Sequence, residues 1–162
     1  MLIDYLTRLT ESCRLCQQEG FRPTTCSGMD GLEGMLQEFQ TAARFVCVSD
    51  TSQCSTFERG GAWYERRVYT VWVVSRYRFG DLDDYRRACQ LCREVCRQFQ
   101  SRMIRDRECA DGSMLYLDTT EMRSNDLGAD FLNNATGLYF LVTMERPLDL
   151  MYRPEEWNEP EP

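Results

Sequence analysis

Apolar residues along this chain change period from one stretch to the next, and the period names the element. Leu2, Leu6, Leu9, Cys13 and Cys16 recur at alternating steps of four and three, one stripe of an α-helix predicted over residues 2–19 and ended by Gly20. From Val68 to Tyr77 the chain is almost continuously β-branched or aromatic. Alternation puts Val68, Thr70, Trp72 and Val74 on one face and Tyr69, Val71, Val73, Ser75 and Tyr77 on the other, so a central strand beginning near Trp63 should be apolar on both faces. Beyond Phe79-Gly80-Asp81, the residues Tyr85, Cys89, Cys92, Cys96, Phe99 and Met103 return to helical spacing. This predicts a second helix over about 81–104, capped by Asp81 or Asp83 and turning its arginines to solvent.

Weaker patterns fill the remainder. Residues 22–34 hold Pro23, Gly28, Gly31 and Gly34 and read as a loop, followed by a short helix at 32–41. Ala43 to Val48 reads as a first strand, joined to the central strand by a long polar loop over 49–61. Met114 to Glu121 reads as a third strand. Residues 122–136 form a polar excursion with a helical turn around Phe131 and Leu132, and Gly137 opens a fourth strand from Leu138 to Met144 that ends before Pro147. The expected fold is α+β, an antiparallel sheet of about four strands with two main helices packed on one face. The expected organisation is one domain over residues 1–150 and an acidic, proline-rich tail over 151–162 without regular structure, in which Trp157 is free to dock.

Composition narrows the chemistry. Among 162 residues there is no histidine, and all 19 basic residues are arginine. Imidazole bases, histidine metal ligands and Schiff-base or phosphate-loop lysines are therefore excluded. The net charge of −7 argues against a general affinity for nucleic acid or acidic lipid. No apolar run is long enough for a membrane span and no secretory leader is visible, so a soluble intracellular protein is expected. The charge is unevenly spread: four arginines face eight acidic residues in 1–58, twelve face six in 59–107, and three face twelve in 108–162. A basic centre between acidic ends suits docking to a partner or to a second copy.

Nine cysteines include Cys13-x2-Cys16 and Cys89-x2-Cys92, the spacing of zinc knuckles. Both pairs sit inside helical stripes, where i and i+3 are neighbouring core positions, so packing of small thiols accounts for them better than a metal. Cys26, Cys54 and Cys109 fall in predicted loops and are the candidates for reactive thiols, although no His or Lys is present to activate them. The carboxylates at Asp81, Asp83 and Asp84 are explained by capping and those at Glu155 and Glu156 by a solvated tail. No catalytic residue, cofactor or metal is expected. Trp, Tyr and Arg are the residues enriched at protein interfaces, which makes Trp63, Arg66, Arg67, Trp72, Arg76, Tyr77 and Trp157 the candidate interface.

A helix, a Gly-rich loop, a hairpin leading through Tyr77-Arg78-Phe79-Gly80-Asp81 into a long helix, a polar excursion and a closing Gly137-Leu138-Tyr139-Phe140-Leu141-Val142 strand resemble the tail terminator (tail completion, minor tail) proteins of long-tailed bacteriophages. The resemblance spans residues 1–150. It implies a non-enzymatic virion assembly protein, a tail terminator or head-tail joining component, that forms an oligomeric ring, commonly a hexamer. Such a ring caps the tail tube, meets the tube protein and the head-tail connector, and is built in the bacterial host cytoplasm before residing in the virion. It recognises no specific nucleic acid and no membrane. The alternative is a small ligand- or protein-binding module with an apolar pocket or interface on the sheet.

Overall fold

The computed structural model describes residues 2–28, 31–34, 43–110, 112, 114–131 and 134–158. The elements run α1 (Leu2–Ser12), α2 (Arg14–Glu19), β1 (Phe21–Cys26), β2 (Arg44–Arg59), β3 (Ala62–Arg76), α3 (Leu82–Glu108), β4 (Ser124–Phe131), β5 (Ala135–Pro147) and a 3₁₀ turn (Pro154–Glu156). The fold is α+β. Its sheet is mixed rather than antiparallel and has five strands rather than four, in the order β1-β2-β3-β5-β4, with β1 parallel to β2 and every other pair antiparallel.

The best-patterned elements form where their periodicity places them. β3 spans Ala62–Arg76 and keeps the expected faces. Val71 and Val73 join Leu6, Cys92, Phe99, Phe140 and Val142 in a core beneath the helices, while Trp72 and Val74 join Phe45, Cys47 and Leu32 on the other side. α3 starts after Asp81, whose Oδ1 accepts from the Asp83 amide at 3.1 Å and the Asp84 amide at 2.9 Å, a side-chain cap on two otherwise unpaired donors. The helix runs four residues past its expected end, to Glu108.

The first helix is two. Cys13 adopts an extended conformation between α1 and α2, yet its amide still donates to the Leu9 carbonyl at 3.0 Å and its carbonyl accepts from the Gln17 amide at 3.0 Å. The stripe therefore survives the break, and Cys16 is fully buried. Gly20 then stops α2 in the left-handed conformation at φ 71°, where a side chain would be strained.

Three expected loops and one expected strand are corrected. Residues 22–26, read as loop, form β1 together with Phe21, which packs under the helices while Cys26 packs on the opposite face. As an edge strand it tolerates Pro23, which has no amide to donate. Residues 49–59, read as a connection, continue β2 past an irregularity between Val48 and Ser52. The real turn is Gly60-Gly61 alone, at φ 63° and 77°, the two-residue hairpin geometry that glycine adopts without strain. Residues 124–131, read as an excursion with a helical turn, form edge strand β4; Leu132 lies outside the described residues. Met114 to Glu121 is not a strand but a turn, with the Leu117 amide bonded to the Met114 carbonyl at 2.9 Å and one bridge from Leu117 to Met144. Residues 31–34 are helical, and the rest of the helix expected at 32–41 lies outside the described residues.

Candidate interaction surface

Above the core, β2 and β3 continue as an arm that is solvent-exposed over most of residues 51–66. Sheet register pairs Phe57 with Tyr64, and their rings stack at 5.7 Å with 22° between planes. The Arg59 guanidinium lies 4.6 Å from the Tyr64 ring centre and that of Arg66 lies 4.9 Å from the Phe57 ring centre, within cation–π range. Glu145 of β5 receives both cations, Arg66 at 2.5 Å and Arg59 at 3.1 Å. Two rings, two arginines and one carboxylate thus stiffen an arm that has little core of its own. Beside it, Arg67 reaches Glu65 at 2.7 Å, and this bond holds the Glu65 carboxyl below the usual range.

The seven residues singled out from the sequence do not converge on one place. Trp63 is exposed near the arm's tip, and its carbonyl accepts from the Leu148 amide at 2.9 Å. Arg66 and Arg67 are on the arm but already engaged by carboxylates. Trp72 is only 5 % exposed and belongs to the core, so its apolar bulk serves folding and it leaves the candidate set. Arg76 and Tyr77 sit at the far end of β3: Arg76 lines a 290 Å³ cleft with Arg44, Glu19 and Asp84, and Tyr77 packs edge-on against Tyr85 at 5.2 Å. Trp157 stacks on Tyr152 at 6.2 Å in the segment after β5 and is exposed. Sequence reasoning missed Phe57, Arg59 and Glu145. The alternation of Phe57 with polar neighbours was the available signal, hidden because neither face of the arm is continuously apolar.

A 440 Å³ cleft opens on the sheet face away from the helices, floored by Gln53, Val68 and Thr143 and walled by Asp118, Thr120 and Arg123. The Thr120 hydroxyl bonds Asp118 at 2.6 Å and lowers its pKa. The lining mixes both charges with hydroxyls. No protein-family model matches this chain, and no curated protein matches it.

The cysteine stripes are core, with Cys16, Cys89, Cys92 and Cys96 all buried. Among the described residues no three Cys, Asp or Glu side chains gather to hold a metal ion. Of the three thiols placed in loops, Cys54 is on β2 and exposed, Cys109 is exposed at the end of α3, and Cys26 is buried at the end of β1. The Cys47 thiol bonds Cys26 and lowers its pKa, while that same bond, and then burial, raise that of Cys47. No helix among the described residues is long and apolar enough to cross a membrane.

Proposed function

We propose that this chain is a non-enzymatic assembly subunit of a phage or prophage particle, a tail terminator or head-tail joining component that closes the tail tube as an oligomeric ring. The observation that carries the reading is the β2–β3 arm. It is ordered by its own aromatic–arginine stack, yet from Asp50 to Arg59 the outer edge of β2 pairs with no other strand among the described residues. A stiff arm with an open edge is a means of joining copies rather than of holding a small molecule. Among the described residues the space between α3 and the sheet is filled by Cys92, Val95, Phe99, Met103 and their partners on β3 and β5, packing that favours an assembly subunit over a module holding an apolar ligand there.

The test is to add the protein to growing tail tubes and to view them by negative-stain electron microscopy. Tubes of uniform length with a ring at one end are expected. Tubes that lengthen unchecked and carry no ring in its presence overturn the proposal.

A further inference from the structure

Two exposed apolar patches lie at opposite ends of the sheet. The first is residues 149–158, which order themselves without burying any residue. Arg153 reaches Asp149 and, at 3.5 Å, Glu156. The Asp149 carboxylate accepts from the Met151 amide at 2.9 Å, the Trp157 amide donates to the Pro154 carbonyl at 3.1 Å, and Tyr152 and Trp157 stack. Even so, Leu150, Met151, Tyr152 and Trp157 all face solvent, Met151 at 76 %. A preformed aromatic knob loses little further freedom on docking, and Trp, Tyr and Arg are the usual anchors of an interface.

The second patch is the turn between β3 and α3, where Phe79 is 81 % and Leu82 67 % exposed. The acids around it are engaged: Asp81 by the helix amides it caps, Asp84 by the Arg78 amide at 2.8 Å, and Asp83 by Arg86 at 3.3 Å. The Arg78 side chain forms no ion pair among the described residues. Residues 149–158, by contrast, hold three acidic residues, Asp149, Glu155 and Glu156, against the single Arg153.

We infer that copies of this chain associate head to tail, residues 149–158 of one seating on the Phe79–Leu82 turn of the next. The inference rests on the ring reading above and names its contact. One copy cannot satisfy itself, because the β3–β5 ladder from Tyr64↔Pro147 to Arg76↔Ala135 separates the patches by about 40 Å at strand spacing. A two-fold contact of knob on knob sets acid against acid. A head-to-tail contact sets the acidic knob beside Arg78 and buries both apolar patches at once, and if its rotation closes it makes a ring.

Light scattering across protein concentrations tests it on the full chain and two double variants, Tyr152→Ser/Trp157→Ser and Phe79→Ser/Leu82→Ser, with near-ultraviolet circular dichroism confirming that each is folded. The unaltered chain is expected to assemble, and each variant alone to need at least about tenfold more protein to do so. An equimolar mixture of the variants should stop at a dimer, because one intact knob then meets one intact turn and nothing remains to extend. Variants that assemble as readily as the unaltered chain overturn this contact and leave the ring reading standing. Monomeric variants that give no dimer on mixing overturn the pairing of these two patches. An unaltered chain that stays monomeric throughout overturns both.

Discussion

The Tyr5 hydroxyl donates to the Asp106 carboxylate across 2.8 Å and 101 positions of chain. This bond ties the first turns of α1 to the last turns of α3, and the Arg102 Nε reaches both carboxylate oxygens, at 2.7 and 2.9 Å. Asp106 is buried, so its carboxylate oxygens find their hydrogen-bond partners in these donors.

Removing the hydroxyl should therefore be felt. Tyr5→Phe is expected to cost about 1.5–3 kcal/mol, the range for a hydrogen bond to a charged acceptor. Asp106→Ala should cost more, because it removes the acceptor of both the Tyr5 and the Arg102 bonds. Urea denaturation checks both, and a Tyr5→Phe midpoint equal to that of the unaltered protein would show that the bond contributes nothing.

Among the glycines, Gly137 is the one least open to change. A Cβ there would stand 2.0 Å from the Val73 carbonyl oxygen, in a backbone already at φ 145°, so neither the space nor the conformation admits a side chain. Gly137→Ala is expected to destabilise by roughly 4 kcal/mol or more, at the upper end of single-residue effects. Gly128→Ala, where nothing lies within 4 Å of the added carbon, is the control and should fold normally. Comparable thermal midpoints for the two variants would contradict this account.

How much of this was legible in the sequence depends on whether a residue's surroundings repeat along the chain. Leu6, Leu9 and Cys16, or Cys92, Phe99 and Met103, are buried at helical steps against the same sheet face, so the period alone reveals them. Val71 to Val74 lie between two cores, and a two-sided apolar run follows directly. Edge strands give no such sign. In β4 Leu127 is buried while the five residues Ser124, Asn125, Asp126, Gly128 and Thr120 nearby are exposed, and what makes β4 a strand is the ladder offered by β5. Met114 and Leu117 misled in the other direction, because both are buried three residues apart on a turn amid residues of good strand propensity. The candidate surface was less legible still. Trp72 and Trp63 are the same residue type on the same strand, but Trp72 packs with Phe45, Cys47 and Leu32 over the body of the sheet, whereas Trp63 lies on the exposed arm.

The hairpin turn makes a sharp test of the corrected β2. Gly61→Val forces a β-branched side chain into a left-handed position at φ 77° and should cost about 1–2 kcal/mol. Loss of the Phe57–Tyr64 stack on the arm should accompany it. A long flexible loop over 49–61 would absorb the substitution, so an unchanged melting temperature together with unshifted Phe57 and Tyr64 ring resonances would favour the loop.

Glu94 gives a pH dependence of defined sign. Bonds from Arg97, at 2.6 Å, and Gln98, at 2.9 Å, hold its carboxyl down to about 2. A carboxyl whose folded pKa is depressed stabilises the fold above its ordinary value near 4.5 and loses that contribution as pH falls toward 2. Arg97→Ala should return the Glu94 titration toward its ordinary value, read by carbon-13 NMR of the side-chain carboxyl. Because the pair is exposed, the neutral-pH stability should barely change. A Glu94 titration that stays low without Arg97 would assign the depression to another group.

The thiols provide the last test, with the opposite sign. Burial pushes Cys96 up to about 11 and Cys92 up to about 12 from an ordinary 9.0, and burial likewise raises Cys16. In the unfolded chain these thiols ionise near their ordinary value; in the fold they stay protonated. Their contribution is therefore complete below about pH 9 and is lost as pH rises toward 12, so the denaturation midpoint should fall steadily over that interval. The same burial orders their chemistry. Exposed Cys54 and Cys109 should react first with a small alkylating agent at neutral pH, and Cys16, Cys92 and Cys96 only as fast as the fold opens. Mass spectrometry of a labelling time course separates the groups. Replacing Cys92 with Ala should lower stability by about 1–2 kcal/mol through lost packing, whereas Cys54→Ser should be close to neutral. If Cys92 labelled as fast as Cys54 in the native protein, the thiol stripe of α3 would not be core, and the seat assigned to α3 against Phe140 and Val142 would have to be abandoned with it.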